Sequence, residues 1–501
     1  MLAHLDSQCN VQDLHEQLEQ IVRSLKEAAT DATPAHTVEK SLLKSLLGLG
    51  QSLFKSFVRD VGPGDLGPAV ALPEGRTLDR LREQSTRRLL TIFGEIEISR
   101  FVYGTREGQK IELAPTDQRL QLPEGELSYP LQEWDQMLDI EHAFGKVAQT
   151  LHRAIGLKQS VDTLEHGNRK MAEAAPRFRA EQPAPDPAAE AEILVVSEDN
   201  KGVPMVRPVQ SIPAGVHRKK GEKANTKQMA TIGCVYTVNP HVRTPDELIA
   251  ALFRDPGREK RQAPEACQKR YWAELTRTVA GKIIRAQDQV FKQMAGEVKL
   301  RRKANQAMVH LSDGQRSLET DRARYLPTDA NTVDILDLMH VLPRMWGAAH
   351  LFHAEGSDAA RQFVRERLPL VLNGMTDQLI AELRQMGASH HLHGTKSSRL
   401  RRICDYLKKN LYRMKYDEYL KAGYPIATGV IEGACRHVIK DRMERAGMRW
   451  KVAGAHAMLQ LRAISTNGDW EAFLESRIQQ ETTRLYPHRD AVKAIPWPIA
   501  A

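Results

Sequence analysis

The sequence predicts a mixed α/β protein, with helical modules ahead of a larger domain that contains a mixed sheet. Two observations carry this prediction. From residue 191 onward, short β-branched and aliphatic runs of strand length alternate with helical patterns. A continuous helical pattern then covers residues 345–425, which indicates an all-helical insertion in the sheet domain.

The first 62 residues predict a helical region. Between residues 10 and 60, apolar residues recur three or four positions apart, as in Val11, Leu14 and Leu18. This spacing predicts two or three amphipathic helices. We interpret them as a bundle or dimerisation surface in preference to a direct DNA contact. The segment 63–73, which is rich in proline and glycine, ends the region.

Residues 63–173 predict a β-hairpin followed by two helices. Apolar and polar residues alternate on both sides of Gly94, as in a hairpin. Residues 139–171 predict helix, turn and helix, with Ser160 capping the second helix. The apolar residues expected to face inward are Val147, Leu151, Ile155, Val161 and Leu164. The pair fits an ordinary bundle or a DNA-binding helix-turn-helix. In the second case Lys158, Gln159 and Thr163 are the candidate DNA contacts.

The main domain is assigned to residues 191–485, with a tail at 486–501. It follows a segment at 174–190 that is rich in proline and alanine and is predicted to be a linker. Its first strand is the apolar block 193–196, which runs into Ser197, Glu198 and Asp199.

Two further strands are predicted at 203–209 and 228–238. The loop between them is basic, and we favour phosphate contact over a merely solvated loop. Its basic residues are Arg218, Lys219, Lys220, Lys223 and Lys227.

The following elements are predicted from periodicity alone. Residues 265–293 predict a long helix, because their apolar residues recur at helical spacing. A strand over 306–314 ends at Asp313, and a short helix and a strand at 333–338 follow. After the helical insertion, another helix begins near Glu432.

This order of elements is that of a ribonuclease H-like fold. In such a sheet the first and fourth strands are neighbours, so Asp199 and Asp313 can meet, and Glu432 on a later helix completes the group. Three carboxylates suit Mg²⁺ or Mn²⁺, and two such ions about 3.5–4 Å apart support in-line phosphoryl transfer without a protein nucleophile. Taken singly, the acids are also explained as a strand end, a turn and a helix N-terminal acid.

Four segments resemble the ISKra-type insertion-sequence transposases, which are related in design to Mutator-like transposases. The segments are VVSEDNKGVPM, MVHLSDGQ, DILDLMH and ATGVIEGACRHVIKDRMERAGMRW, and the resemblance extends over residues 85–485. It implies a catalytic triad of Asp199, Asp313 and Glu432. It also implies that Asp337 and His340 form the supporting C/D-x-x-H element, and that a helical insertion precedes the glutamate.

Two features depart from the family pattern. The first motif reads Glu198-Asp199-Asn200 where relatives have Asp-Gly, so Glu198 is an alternative ligand. Residues 104–110 lack the cysteines that often lie at the turn of such a module, and we expect no zinc there.

The residues that follow the predicted glutamate are basic, and their position favours phosphate contact over a solvated face. They are Arg436, Lys440, Arg442, Arg445 and Arg449. Close to them, Cys435 and Trp450 are expected to be packing residues. In the preceding motif, Asp334 is expected to face solvent and His340 to bond a carboxylate rather than a metal.

The composition fits a protein that binds a polyanion. The 72 Lys and Arg residues exceed the 63 Asp and Glu residues, for a net charge of +9. The five cysteines form no CxxC pair, which fits a reducing cytosol. No apolar run approaches the roughly 18 residues of a membrane span, and the N-terminus lacks a signal pattern. A cytoplasmic, nucleoid-associated protein is therefore expected.

Together these features predict a DNA transposase that binds the terminal inverted repeats of its own element. It would cleave a 3′ phosphodiester at each end and join the freed 3′-OH to target DNA. Because both ends are cut and joined together, a homodimer or larger assembly is expected. Two alternatives stay open: a stand-alone metal-dependent nuclease of the same fold, and a catalytically inactive, transposase-derived DNA-binding protein.

Overall fold

The computed structural model describes residues 11–81, 83–105, 111–206, 227–259, 261–445 and 447–494. The chain divides into two compact units. One comprises Met1–Phe178 and Glu471–Ala501, and the other comprises Arg179–Trp470. The boundary between them falls inside the predicted linker.

The first unit begins with two helices, as the leucine spacing predicted: α1 (Val11–Thr30) and α2 (Ala35–Val61). Five short strands follow. They are β1 (Ala69–Ala71), β2 (Thr77–Arg80), β3 (Ser85–Thr91), β4 (Gly94–Arg100) and β5 (Tyr103–Gly104). β1, β2 and β5 form one small sheet, and β3 and β4 form the predicted hairpin. The hairpin packs on α2 through Val58, Leu89 and Ile96.

Five helices complete this stretch. They are α3 (Pro115–Leu120), α4 (Tyr129–Asp139), α5 (Phe144–Ile155), α6 (Val161–Ala172) and α7 (Ala175–Glu181). α5 and α6 are the predicted helix pair, and the Ser160 hydroxyl caps α6 by accepting the Thr163 N–H at 3.0 Å. Val147, Leu151 and Leu164 are buried between the helices as predicted.

Two expectations for this stretch are wrong. Val161 is 42% exposed and does not face the core, because it lies at the first residue of α6. The linker is not free of structure, since α7 lies within it and buries Ala175 and Phe178. A sequence rich in proline and alanine can still form a short helix once its few apolar side chains find a partner.

The described part of the second unit contains seven strands. They are β6 (Ile193–Pro204), β7 (Lys227–Val238), β8 (Cys267–Leu275), β9 (Arg277–Val279), β10 (Lys282–Ile284), β11 (Met308–Ser312) and β12 (Thr332–Leu336). Five of them form a mixed sheet of order β12-β11-β6-β7-β8. β6, β11 and β12 are parallel, and β7 runs antiparallel to both of its neighbours. β9 and β10 form a separate hairpin.

The second unit also contains a series of helices. In chain order they are α8 (Pro245–Phe253), α9 (Ala286–Arg301), α10 (Arg316–Tyr325), α11 (Leu338–Phe352), α12 (Asp358–Leu372), α13 (Thr376–Ser389), α14 (Gly394–Asn410), α15 (Tyr416–Lys421), α16 (Gly429–Ala434), α17 (Asp441–Met443) and α18 (Val452–Thr466). Two further helices, α19 (Trp470–Leu485) from Glu471 onward and α20 (Arg489–Ala494), belong to the first unit. α11 to α15 form the predicted helical insertion. One face of the sheet buries its core against α9, where Val290, Phe291 and Met294 contact Leu194 and Val196.

Three predictions for the main domain are corrected. The separate second strand does not exist in the described residues, because β6 continues unbroken to Pro204 through its pairing with β7. Residues 265–293 are not one helix but contain β8, β9, β10 and only the start of α9. α19 was assigned to the main domain, yet residues from Glu471 onward group with the first unit.

Across the described ranges of the chain, every helix is too short or too polar to cross a membrane.

Candidate active site

Asp199 and Asp313 lie beside each other on adjacent parallel strands. The register pairs Leu311 of β11 with Ser197 of β6, and each aspartate comes two residues further along its chain. Side chains alternate between the two faces of a sheet, so both carboxylates belong to one face. The Ser197 hydroxyl donates to the Leu311 carbonyl at 2.6 Å and ties the strands together just before the acids.

Asp313 directly follows β11, as predicted, whereas Asp199 lies within β6 rather than at its end. The chain turns sharply after Asp313 because Gly314 has a φ of +85°, a conformation that favours glycine. This turn lets the Gln315 N–H donate to Asp313 Oδ1 at 2.7 Å. Burial and the nearby charge of Asp199 raise the pKa of Asp313, although the Gln315 hydrogen bond opposes them.

The two oxygens of Asp199 each accept one hydrogen bond. The Asn200 N–H donates to Oδ1 at 2.6 Å, and the thiol of Cys435 donates to Oδ2 at 3.0 Å. Cys435 is buried, and burial together with the Asp199 charge raises the pKa of its thiol. Cys435 is a buried packing residue, as expected, and its thiol also holds the Asp199 carboxylate.

Asp337 is fully buried and organises the start of α11. Its carboxylate accepts the Met339 N–H at 2.8 Å, which caps the helix, and the Thr428 hydroxyl at 2.5 Å. The same carboxylate bonds His340 Nδ1 at 2.8 Å. This contact raises the pKa of His340, and the charges of Asp313 and Glu432 act in the same direction. His340 thus bonds a carboxylate, as predicted.

Glu432 lies in the first turn of α16 and is exposed. A π-helical segment, Cys435–Lys440, follows α16 and leads into α17. Single π-helical segments are uncommon and often mark functional sites. Here the segment begins at Cys435, the residue that holds Asp199.

Electrostatic interactions connect the three predicted acids. Asp199 acts on Asp313 directly, and both Asp313 and Glu432 act on His340. Asp199 and Glu432 both act on Cys435. The three carboxylates therefore influence common neighbours, since the charges of Asp313 and Glu432 both act on His340 and those of Asp199 and Glu432 both act on Cys435.

Glu198 belongs to a different group, on the opposite face of the sheet from Asp199. Its buried carboxylate bonds His310 Nε2 at 2.9 Å, while His310 Nδ1 bonds Asp334 at 2.9 Å. Asp334 is also 2.8 Å from Arg322. Glu198 is therefore not an alternative ligand beside Asp313. Asp334 was expected to face solvent, but it is partly buried, with 31% of its side chain exposed, and it pairs with His310 and Arg322.

His310 is charged in this group. Burial alone would lower the pKa of His310, but Glu198 and Asp334 outweigh burial and raise it to about 9. His310 was not among the predicted site residues. A polar residue in the otherwise apolar run MVHL was the available signal, because a buried histidine requires partners.

The helical insertion contributes two further residues that the sequence analysis missed. The Tyr406 hydroxyl donates to the backbone carbonyl of Asp313 at 3.2 Å. Arg413 is fully buried, donates to the Ser312 hydroxyl at 3.2 Å, and pairs with Glu319. No sequence pattern indicated these contacts, since they join residues about a hundred positions apart.

The basic residues after Glu432 differ in their accessibility. Arg436, Lys440, Arg445 and Arg449 are exposed. Arg442 is fully buried, with its guanidinium 4.8 Å from the Trp450 ring centroid, so the predicted phosphate contact by Arg442 is wrong. Trp450 is buried, as expected. The strand-loop residue Lys227 pairs with Glu444 at 2.5 Å. Arg218, Lys219, Lys220 and Lys223 lie outside the described residues.

The three candidate DNA contacts of the helix pair lie around the start of α6. Lys158 is exposed, the Gln159 amide donates to the buried Asp135 at 2.6 Å, and Thr163 is within 2.8 Å of the Ser160 hydroxyl. Burial raises the pKa of Asp135 to about 7. Only Lys158 among the three therefore presents an uncommitted polar group to solvent.

Asp199, Asp313 and Glu432 supply only carboxylate oxygens, the ligands that Mg²⁺ and Mn²⁺ prefer. Within the described residues, no group of three or more His, Cys, Asp or Glu side chains that could hold a metal ion is found. Burial is the largest cause of the raised pKa of Asp313, and the charge of Asp199 adds a repulsion of the kind that a divalent cation relieves. The donor set thus fits a divalent cation by its chemistry.

No protein-family model matches the sequence, and no match is found among characterised proteins.

Proposed function

We propose that this protein is a DNA transposase of the DDE type, with a ribonuclease H-like catalytic domain. The sheet order supports the fold assignment. The five-strand sheet is mixed, with β12, β11 and β6 parallel at one side and β7 antiparallel between β6 and β8, and such a sheet is compatible with this fold. The helical insertion between the last strand and the helix of Glu432 also fits the family pattern.

One observation carries the proposal. Asp199 and Asp313 come from strands far apart in the sequence and lie in register on one face, and the charge of Glu432 acts on neighbours that it shares with them. Each acid alone has an ordinary structural explanation. Uncompensated carboxylates are costly to bring together, so their grouping favours a cation-binding role.

In this proposal Asp199, Asp313 and Glu432 hold two Mg²⁺ or Mn²⁺ ions. When bound, these ions activate the attacking oxygen and stabilise the leaving oxygen of an in-line displacement. Water is the nucleophile for cleavage, and the freed 3′-OH is the nucleophile for joining. The chain itself orients the ligands: Cys435 and the Asn200 amide fix Asp199, the Gln315 amide fixes Asp313, and Asp337 fixes His340.

The proposed partners are the terminal inverted repeats of the element and the target DNA, contacted in part by the helix pair and by the exposed basic residues after Glu432. A homodimer or larger assembly brings both ends together. The α1–α2 hairpin supports self-association, because its large apolar residues are about half exposed in the chain, as at Leu43, Leu46 and Phe57. α1 carries a net charge of −2 and α2 of +2, so two hairpins are complementary.

The test is incubation of the protein with labelled element ends and Mg²⁺, comparing the wild type with Asp313→Ala. Cleavage at the 3′ ends and joining to a target are expected, with both lost in the variant. Cleavage without joining would favour a stand-alone nuclease. Binding without cleavage in the wild type would favour an inactive DNA-binding protein.

A further inference from the structure

Positive charge is concentrated in the helical insertion. α14 contains six Lys and Arg residues and one Asp, which gives a net charge of +5 over 17 residues. α11 packs beside α14 and adds Arg344 without any acid. These two helices therefore carry +6, compared with +9 for the whole chain of 501 residues. Charge of this density on adjacent helices favours a polyanionic ligand.

Three arginines of these helices converge on one cavity. The cavity has a volume of about 270 Å³ and is lined by Pro343, Arg344, Gly347, Arg399, Arg402 and Ile403. All three arginines are exposed, and among the described residues none of them forms an ion pair with an acid. The single acid of α14, Asp405, lies 3.8 Å from Arg384 instead. Gly347 leaves the cavity open because it has no side chain.

A single residue, Tyr406, connects this cavity to Asp313. The Arg344 guanidinium lies 4.7 Å from the ring centroid of Tyr406, and the Tyr406 hydroxyl bonds the Asp313 carbonyl. On its other side, Arg399 also lines a second cavity of about 520 Å³ together with His350, His353 and Lys396. The two cavities share a basic surface that extends away from the candidate active site along α11 and α14. Its residues are Arg344, Arg399, Arg402 and Lys396.

We propose that Arg344, Arg399 and Arg402 bind the phosphate backbone of duplex DNA, next to the phosphodiester that reacts at Asp199 and Asp313. This assignment rests on the proposed function and identifies where its substrate lies. Guanidinium groups bind phosphate oxygens through paired N–H donors. Such contacts supply affinity and orientation without reading sequence. DNA is favoured over an acidic protein because the surface begins at the catalytic acids.

The experiment uses the full chain in which all three arginines are changed to glutamine, and measures binding to a labelled duplex by fluorescence anisotropy. Ca²⁺ replaces Mg²⁺, and salt is varied from low to physiological concentration. The matched control changes the exposed Lys282, Lys292 and Lys299, on β10 and α9, to glutamine. A single pair, Arg402→Gln against Arg401→Gln, compares neighbouring exposed arginines of which only Arg402 lines the cavity.

The expected result is a loss of duplex affinity of tenfold or more in the triple arginine variant. The slope of log affinity against log salt should become shallower by about two to three, since each phosphate contact contributes about 0.9. The lysine control should change both quantities much less. Equal losses in the two triple variants would overturn the assignment, as would an unchanged duplex affinity in the triple arginine variant.

This test is separate from that of catalysis. Asp313→Ala should lose cleavage and keep its duplex affinity, whereas the triple arginine variant should lose duplex affinity and need more protein for the same extent of cleavage. If the wild type binds duplex DNA through these arginines but never cleaves it, the proposed catalysis is wrong and the proposed binding surface is retained. If the wild type cleaves and the triple arginine variant binds duplex DNA as tightly as the wild type, only the proposed binding surface is wrong.

Discussion

Cys435 donates its thiol hydrogen to Asp199, with 3.0 Å between Sγ and Oδ2. The donor is the first residue of the π-helical segment that directly follows the helix of Glu432, and the acceptor lies on the central strand of the sheet. One hydrogen bond therefore ties the end of the Glu432 helix to the strand that carries Asp199. The contact gives Cys435 a positioning role that its sequence neighbourhood did not indicate.

The first prediction concerns this contact. Cys435→Ala should lower the rate of 3′-end cleavage by about tenfold, because Asp199 loses the donor that fixes its orientation. Cys435→Ser should retain most of the activity, since a hydroxyl can also donate. Cleavage at saturating DNA is the measurement, with thermal unfolding as a check. Equal rates for alanine and the wild type would contradict the positioning role.

A second prediction concerns Asp337. Asp337→Ala should reduce the free energy of unfolding by about 1–3 kcal/mol, because α11 loses its cap and the buried Thr428 hydroxyl loses its acceptor. Asp358→Ala, at the exposed first residue of α12, is the matched control. It should change the free energy of unfolding by less than about 1 kcal/mol. Urea unfolding compares the two, and similar losses would count against the buried role of Asp337.

Stability should depend on pH through His310. The pKa of His310 is raised to about 9 in the folded chain, against about 6.5 when unfolded. A raised pKa stabilises the fold fully below pH 6.5, and this contribution is lost as pH rises through 9. The loss is on the order of 3 kcal/mol, at about 1.4 kcal/mol per unit.

The measurement for His310 is urea unfolding between pH 6 and pH 9.5. His310→Gln should be less stable at pH 6 and should show a flatter profile in this window. If the wild type and the variant lose stability in parallel as pH rises, His310 is not the group responsible.

A matched pair of glycines tests the packing of α9 on the sheet. A Cβ at Gly233 of β7 would lie 2.5 Å from both Met294 Sδ and Val290 Cγ1, whereas one at Gly296 would meet nothing within 4 Å. Gly233→Ala should therefore destabilise the protein by about 1–3 kcal/mol. Gly296→Ala should be neutral or stabilising by up to about 1 kcal/mol. The reverse order in unfolding experiments would show that α9 is not seated as described.

The proposed assembly has its own test in the α1–α2 hairpin. Changing Leu43 and Leu46 to lysine should shift the protein toward monomers, because both are about half exposed on one face of α2. Changing the exposed Lys40 and Lys44 of the same helix to glutamine is the control. Light scattering after size exclusion measures the mass. A wild-type monomer, or a double-leucine variant that still assembles, would remove the hairpin from the interface.

The spacing of apolar residues predicted the elements that have one buried face and one exposed face. α1, α2, α5 and α6 have one apolar face each, and their boundaries came out close to the prediction. β8 was not predicted. Its residues Tyr271 to Leu275 are buried on both faces of the sheet, so apolar and polar residues do not alternate along it. Trp272, Leu275 and Val279 then fall at helical spacing although they belong to two strands.

The candidate site was predictable only in part, for a related reason. Sequence order and family resemblance indicated Asp199, Asp313 and Glu432, because each stands at a recognisable point of an element. Their surroundings depend on partners from distant segments. Glu198 lies on the other face because side chains alternate along β6, and its partner there, His310, comes from β11. β6 continues past Asp199 because β7 pairs with it. Neither His310 nor β7 is close to the first motif in the sequence.

The most direct test of the central claim is the number of Mn²⁺ ions bound per chain, measured by the electron paramagnetic resonance of free Mn²⁺ during titration in the presence of duplex DNA. Two ions are predicted for the wild type. Asp199→Asn, Asp313→Asn and Glu432→Gln should each weaken binding at least tenfold, while the exposed Glu366→Gln should not. Unchanged stoichiometry and affinity in all three variants would contradict the account.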